Sequence, residues 1–402
     1  MKTEDLIELG NSALFNTYNR GDKVLVSGKG AYVKNNDGEE YLDFVSGIAT
    51  NILGHANEKI VEAITKQAST LMHTSNMYWN KPSIELANKL VTDKSAGSLA
   101  KVFFSNSGAE ANEGALKLAR KYGKEVHSED CTEIITLTDS FHGRTMATLS
   151  ATGQPDMHKD FQPLFPGSKY VPLNDSAALT DAATENTCAV LVETIQGEGG
   201  INSLSDEFVE TLQELQDNGL LLIVDEVQTG IGRTGTLYSF EQFGLEPDIV
   251  TLAKGLGGGY PMGAFMATDK VAGHFNPGDH GTTVGGNPLA AAVGNAIYDE
   301  IIDAGLLDNV AARSSQLVAG LEKISADTGS IAEIKGLGLL IGVQFNDSVE
   351  AADVLSACYD EKILVVTAKH NVVRLLPPLN VTAAEIDEAL EKFGAAVKQV
   401  AE

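Results

Sequence analysis

Residues 219–235 read GLLLIVDEVQTGIGRTG. Leu221 to Val224 are four consecutive aliphatic side chains, and they run straight into Asp225 and Glu226. A half-exposed strand alternates apolar and polar residues, whereas a strand covered on both faces is apolar throughout, as in parallel sheets. A core strand that stops on a carboxylate calls for a cationic partner there, because a bare buried charge is costly. In open α/β sheets ligands bind beyond the carboxyl ends of the strands, so Asp225 is placed for chemistry by architecture alone.

The same rhythm extends outward. Apolar runs of strand length recur at 101–105 (KVFFS), 133–138 (EIITLT), 188–192 (CAVLV) and 248–252 (DIVTL), with helical patterns at 108–122 and 205–217. Strands alternating with helices predict an α/β fold with a mostly parallel central sheet covered by helices. Upstream, residues 31–44 (AYVKNNDGEEYLDF) predict two short strands around an Asn-Asp-Gly turn, and helices follow at 57–72 and 82–91, the latter opened by Pro82. Beyond about 290 the pattern changes to helices at 288–304 and 307–325, strands at 338–345, 363–367 and 372–376, and a helix at 382–399. The expected organisation is an N-terminal segment (1–50) packing with the small domain, a large domain (51–289) and a smaller α+β domain (290–402).

Composition excludes some partners. A net charge of −26 over 402 residues argues against nucleic acid or an anionic membrane surface, which reward clustered Lys and Arg. Cys131, Cys188 and Cys358 are odd in number and widely spaced, giving neither a disulfide framework nor metal-ligand spacing. MKTEDLIELG is acidic and lacks the apolar run of a signal peptide, and no run reaches the ~18 apolar residues of a membrane span. A cytoplasmic protein without a structural metal is expected.

Two further stretches carry chemistry. In FFSNSGAEANEGALKLARKYG (103–123) a strand ends at Ser105, and Ser107 to Glu110 has the S-x-x-E form of a capping box. Free N–H groups and the positive end of the helix dipole suit a phosphate, and Gly108 leaves room for one. The motif alone is equally that of a plain helix cap. In DIVTLAKGLGGGYPMG (248–263) Lys254 closes an apolar strand and precedes Gly255, Gly257, Gly258 and Gly259. A lysine in a dry site tends to lose its proton and becomes a nucleophile toward aldehydes, although a lysine before glycines is commonly a solvated strand end. Asp225 and Lys254 lie 29 positions apart, one strand–helix–strand crossover, so both reach the same sheet edge. A phosphate-binding helix start, a Schiff-base lysine and an acid for a ring nitrogen together specify pyridoxal 5'-phosphate.

GIATNILGH (47–55), SNSGAEANEGALKLAR (105–120), SFHGRT (140–145), ETIQGEGG (193–200), VDEVQTGIGRTG (224–235), LAKGLGGGYPMGA (252–264), HGTTVGGNP (280–288) and VVRLLPPL (372–379) resemble the class III aminotransferases of fold type I over nearly the whole chain. That resemblance implies the fold type I architecture and a role for each matching residue. Ser107, Gly108 and Ala109 would meet the cofactor phosphate, Phe141 and Val227 would cover the two ring faces, and Gln228 would approach the ring hydroxyl. Asp225 would face the ring nitrogen and Lys254 would condense with the aldehyde. Thr283 would reach the phosphate in a neighbouring subunit, which implies a homodimer with shared active sites. Arg144 would anchor a carboxylate distant from the reacting amine, and Arg374 would grip the α-carboxylate of glutamate or 2-oxoglutarate. Glu198 would pair with Arg374 when the donor lacks an α-carboxylate and swing away otherwise.

Within the family, LFNTYNR near the N-terminus and HTSNMYWNKPSIELANKL (73–90) are most similar to the branch that acts on acylated ornithine. This implies transfer of the δ-amino group of N2-acetyl-L-ornithine to 2-oxoglutarate. Ile48, without a hydroxyl, favours an acylated α-amine. Ornithine, 4-aminobutyrate, succinylornithine and N-succinyldiaminopimelate are the alternative donors, and an aminomutase or racemase is a rival reaction class. Thr194, Tyr260 and Val284 depart from the family's usual residues without removing a catalytic group. His55, His73 and His142 are read as packing or loop residues, His142 being the one nearest the expected site.

Overall fold

The Leu221–Asp225 strand occupies the middle of a seven-stranded sheet. The structure, a computed structural model, describes residues 1–402. The strand order is Leu99–Ser105, Gly263–Thr268, Ile249–Leu252, Leu221–Asp225, Thr187–Val192, Glu133–Leu137, Ser168–Val171. Gly263–Thr268 runs antiparallel to both neighbours, and all other pairs are parallel. The sheet is thus mostly parallel, as expected.

The unbroken apolar run is explained by what covers it. Leu222 and Val224 face one apolar cluster with Val190, Val192, Val250 and Leu252, joined by Phe208, Leu212 and Leu215 of helix Asp206–Asp217. Leu221 and Ile223 face a second cluster with Ala189, Leu191 and Ile249, joined by Ala115, Leu118 and Ala119 of helix Gly108–Val126. Each fully buried aliphatic side chain contributes roughly 1.5–3 kcal/mol, so neither face of this strand can tolerate a polar residue cheaply.

A four-stranded antiparallel sheet, Ile331–Leu337, Leu340–Phe345, Val372–Leu375 and Val366–Ala368, lies in the C-terminal part. Helices Leu306–Thr328 and Ala383–Ala401 pack against one another there. The N-terminal strands Leu25–Lys29, Tyr32–Asn35 and Glu40–Asp43 form another sheet, whose fourth strand is Ile363–Leu364, parallel to Glu40–Asp43. Helix Pro288–Ile302 packs on helices Glu58–Ala68 and Lys81–Thr92.

Two expectations change. The connection from Asp225 to Ile249 holds no α-helix, only a 3₁₀ turn at Ser239–Phe243. Gly230, Gly232, Gly235, Gly244 and Pro247 within it interrupt helix formation. Strands Gly263–Thr268 and Ser168–Val171 join the sheet although the sequence reading left them out.

Candidate active site

Asp225 is buried at the carboxyl end of its strand, opposite Thr251 in register. Its Oδ1 accepts the Val227 N–H at 2.9 Å. Its Oδ2 accepts from Asn112 Nδ2 at 2.8 Å and lies 2.8 Å from His142 Nδ1. The second ring nitrogen of His142 lies 3.2 Å from Thr136 Oγ1. No lysine or arginine of this chain ion-pairs with Asp225, and His142 is its one pairing side chain. The carboxylate is therefore oriented by the protein while it lines an open cleft.

Lys254 follows the neighbouring strand Ile249–Leu252 and has a left-handed φ of +40°. Its amine makes no hydrogen bond or ion pair within the chain. Burial pulls its pKa below the usual lysine value; Glu198, Asp225 and Glu193 oppose that shift and Arg374 adds to it. The glycines after it serve close packing: a side chain on Gly257 would collide with the Tyr260 carbonyl, and Gly259 has φ +107° beside Asn51.

Helix Gly108–Val126 begins at the same edge, because Gly263 sits opposite Ser105 in register. Ser107 Oγ accepts the Glu110 N–H at 3.2 Å, as a capping box requires. The reciprocal arm differs from expectation: the Glu110 carboxylate reaches the Asn106 N–H at 2.6 Å, one residue earlier. The N–H groups of Gly108 and Ala109 therefore stay free of intrahelical acceptors at the cleft wall. A Cβ on Gly108 would lie 2.8 Å from Val227 Cγ1, so the gap between them is one a side chain would fill.

Arg374 is 1% exposed and meets Glu198, whose side chain is 29% exposed, through two bonds: Nη1 to Oε1 at 2.7 Å and Nη2 to Oε2 at 2.9 Å. Nη1 also donates to Gln228 Oε1 and the Gly197 carbonyl and Nη2 to the Thr367 carbonyl, each at 3.1 Å, while the buried Nε has no partner. Burial pushes the Glu198 carboxyl up, but Arg374 more than offsets this and holds it below the ordinary range. Arg144 stands apart. It is exposed at the cleft mouth, with its guanidinium carbon 5.6 Å from the Phe141 ring centroid and no ion-pair partner.

The cleft has a volume of about 490 Å³, within the range of small-molecule sites. Ser107, Gly108, Ala109, Phe141, Arg144, Asp225, Val227, Gln228 and Lys254 line it, and the Glu198–Arg374 pair adjoins through Gln228. Of the other expected residues, Thr283 and Ile48 neither line the cleft nor adjoin that pair. Thr283 is exposed in a separate groove with Glu110, Glu113 and His280. Ile48 is 38% exposed, in a turn where Ser46 to Ala49 all have left-handed φ, and Thr50 beyond it reaches the cleft. His55 pairs with Asp43 outside the cleft and His73 is exposed. The sequence reading missed Asn112 and Glu193. Asn112 sits one helical turn after Gly108, a polar residue on the covered face of its helix. Glu193 ends the run CAVLV with a carboxylate, the same signature that singled out Asp225.

The residues fit a flat group with a phosphate at one end, an aldehyde near Lys254 and a ring nitrogen near Asp225. The helix start offers N–H donors without a blocking side chain, and Lys254, the one lysine lining the cleft, has no partner. Residues 17–397 match the model of the family Aminotransferase class-III. The chain belongs to the class III aminotransferases. This aminotransferase is 50% identical to the acetylornithine aminotransferase of Caldanaerobacter subterraneus, covering 94% of the chain and 95% of the relative. It is 45% identical to the succinylornithine transaminase/acetylornithine aminotransferase of Pseudomonas aeruginosa, over 94% and 93%. The ornithine aminotransferase of Toxoplasma gondii, a structure with partial occupancy of PLP at its active site, superposes with a TM-score of 0.94 at 32% identity, covering 99% and 95%.

Proposed function

We propose that this class III aminotransferase moves the δ-amino group of N2-acetyl-L-ornithine to 2-oxoglutarate, giving N-acetyl-L-glutamate 5-semialdehyde and L-glutamate, with pyridoxal 5'-phosphate as cofactor. This is a reaction of arginine biosynthesis. The observation that carries it is the two-bond Arg374–Glu198 pair beside Gln228, set against the unpaired Arg144 at the cleft mouth. One carboxylate-binding arginine is occupied by an internal acid, and the other is free. Such a site suits a donor with one carboxylate far from the reacting amine, followed by a dicarboxylate that competes for Arg374.

In this reading Ser107 with the N–H groups of Gly108 and Ala109 holds the phosphate, Phe141 and Val227 cover the ring, and Gln228 lies by its hydroxyl. Bound pyridoxal phosphate supplies an aldehyde that condenses with amines and a protonated ring that draws electrons from the bond being broken. Asp225, fixed by Asn112, His142 and Val227, keeps the proton on the ring nitrogen. Lys254 would hold the cofactor through its aldehyde and serve as the proton carrier, since burial favours the neutral amine. Glu198 neutralises Arg374 during the donor's visit, which avoids an unpaired buried charge, and yields to the α-carboxylate of 2-oxoglutarate. Ile48, two residues before the cleft-lining Thr50, would be the apolar neighbour of an acylated α-amine at the cleft's edge.

The working unit in this proposal is a homodimer with shared sites. Thr283 is exposed and outside its own chain's cleft, and the stretch 71–79 exposes Met77, Tyr78 and Trp79, the last at 92%. Patches of this kind on a folded chain mark interaction surfaces. The division into 1–50, 51–289 and 290–402 belongs to the same proposal, supported by the pairing of Ile363–Leu364 with Glu40–Asp43. So does a cytoplasmic setting: all three cysteines are free and buried, and no helix is long and apolar enough to cross a membrane.

The test compares kcat/KM for N-acetylornithine, succinylornithine, ornithine, 4-aminobutyrate and N-succinyldiaminopimelate, with glutamate measured against donor consumed. N-acetylornithine is expected to lead with one glutamate formed per donor. A tenfold preference for a donor with a free α-amine, or turnover without glutamate, overturns the proposal; the second outcome points to an isomerase. A lead for succinylornithine would fit the second activity named for the Pseudomonas relative.

A further inference from the structure

Glu193 is an acid of the cleft wall to which the proposed reaction gives no task. It follows strand Thr187–Val192 and is buried. Its Oε2 accepts the Phe141 N–H at 3.1 Å and its Oε1 accepts the Gly197 N–H at 3.2 Å. These amides belong to two loops with different duties. One carries Phe141, His142 and Arg144. The other carries Glu198, and its Gly197 carbonyl accepts from Arg374 at 3.1 Å.

We propose that Glu193 is a positioning residue whose two oxygens tie the Arg144 loop to the Glu198 loop, fixing where Arg144 stands relative to the reacting end of the cleft and so the length of donor accepted. The inference rests on the roles assigned above to Arg144 and Glu198. A carboxylate is suited to the task because it only accepts, and each oxygen can take one N–H. Protonation turns one oxygen into a donor facing an N–H, and one tie is lost. Placement matters because a misplacement of about 1 Å can reduce turnover ~10²-fold.

The proton balance gives the tie a pH range. Burial, with Asp225 on the neighbouring strand, pushes the Glu193 carboxyl up to about 7, against His142 and the two N–H donors, which lower it. Lys254 lines the same cleft and feels its charge. Both ties are complete above about 7, and one is released below it.

The experiment uses the cofactor-loaded full chain with Glu193→Gln and Glu193→Asp. Gln keeps the volume but presents an NH2 to one of the two donors; Asp keeps both acceptors on a shorter arm. In Glu193→Gln, hydrogen exchange at the Phe141 or Gly197 amide, corrected for intrinsic rates, is expected to rise about tenfold. kcat/KM for N-acetylornithine is expected to fall about tenfold, mostly through KM, with a narrower preference over 4-aminobutyrate. In the wild type the same amide is expected to lose protection between pH 8 and pH 6, a change absent from Gln and kept by Asp. Should Gln fail to fold, the wild-type pH series and Asp decide. Unchanged protection at both amides overturns the inference, and so does faster exchange with unaltered KM and donor preference. A wild type that forms no glutamate from N-acetylornithine defeats the substrate reading instead, and the exchange measurements then judge Glu193 alone.

Discussion

Arg374 and Glu198 face one another through two bonds of 2.7 and 2.9 Å, with the arginine sealed from solvent and the acid partly exposed. That asymmetry makes Glu198 the partner able to leave. Glu198→Ala strands a buried guanidinium whenever a donor without an α-carboxylate is bound, and truncating one member of such a pair costs about 2–5 kcal/mol. The expected result is a rate constant for the N-acetylornithine half-reaction lower by roughly 30-fold or more, with the glutamate half-reaction reduced far less. Rapid mixing of each half-reaction measures both, and an equal loss in the two would count against the switch.

Arg144 stands over the Phe141 ring and has no ion-pair partner within the chain, so its charge is available to substrate. Arg144→Gln removes a charge-assisted contact of about 1.5–3 kcal/mol, which corresponds to a 10- to 150-fold rise in KM for N-acetylornithine. Initial rates over a donor concentration series check this, with little change expected in kcat.

Asp225 is held by three donors, one of them His142. His142→Phe leaves the carboxylate two and frees it to turn. A several-fold weaker affinity for pyridoxal phosphate is expected, read by titrating the apo protein, while Asp225→Ala lowers kcat about 10³-fold or more through loss of the ring proton.

Glu226 has a different fate from its neighbour. Its oxygens accept from the Ser239 N–H at 3.0 Å, the Phe240 N–H at 2.8 Å and the Thr229 hydroxyl at 3.0 Å, and burial pushes its carboxyl up to about 7. A raised folded-state pKa means the folded chain binds more protons than the unfolded chain between about 4.5 and 7. Stability therefore falls as pH rises through that window. Glu226→Gln is expected to flatten this part of the Tm–pH curve, and a slope identical to wild type would reject the assignment.

Trp79 stands almost fully exposed beside Tyr78 and Met77. Trp79→Asp places a charge on the face proposed to pair with a second copy. Sedimentation is expected to show a monomer with native circular dichroism and at least a tenfold loss of activity. A dimer of wild-type activity would move the interface elsewhere.

The sequence was most readable where one physical requirement dominated. Leu221 to Val224 needed cover on both faces, and that requirement marked the central strand and, through its last residue, the site. Gly263–Thr268 was missed because it follows the glycine-rich stretch after Lys254 without an intervening polar break. The missing helix between Asp225 and Ile249 has another cause: the spacing of 29 residues from Asp225 to Lys254 suits a crossover helix, but Gly230, Gly232, Gly235, Gly244 and Pro247 interrupt any helical run there. Side-chain partners were the least legible. Nothing local joins Glu193 to Phe141, or His142 to Asp225, because those bonds span 52 and 83 residues and arise from sheet order.

The antiparallel strand Gly263–Thr268 has a consequence for how this chain can be altered. It makes 253–262, with Lys254 inside, a hairpin connection whose far end is pinned twice, Ala264 to Leu252 and Gly263 to Ser105. One residue gained or lost there would slip the pairing and turn inward faces outward. Insertions and deletions that reshape this catalyst should accumulate in other cleft-bordering segments and avoid 253–262, a bias that libraries of random indels can measure directly.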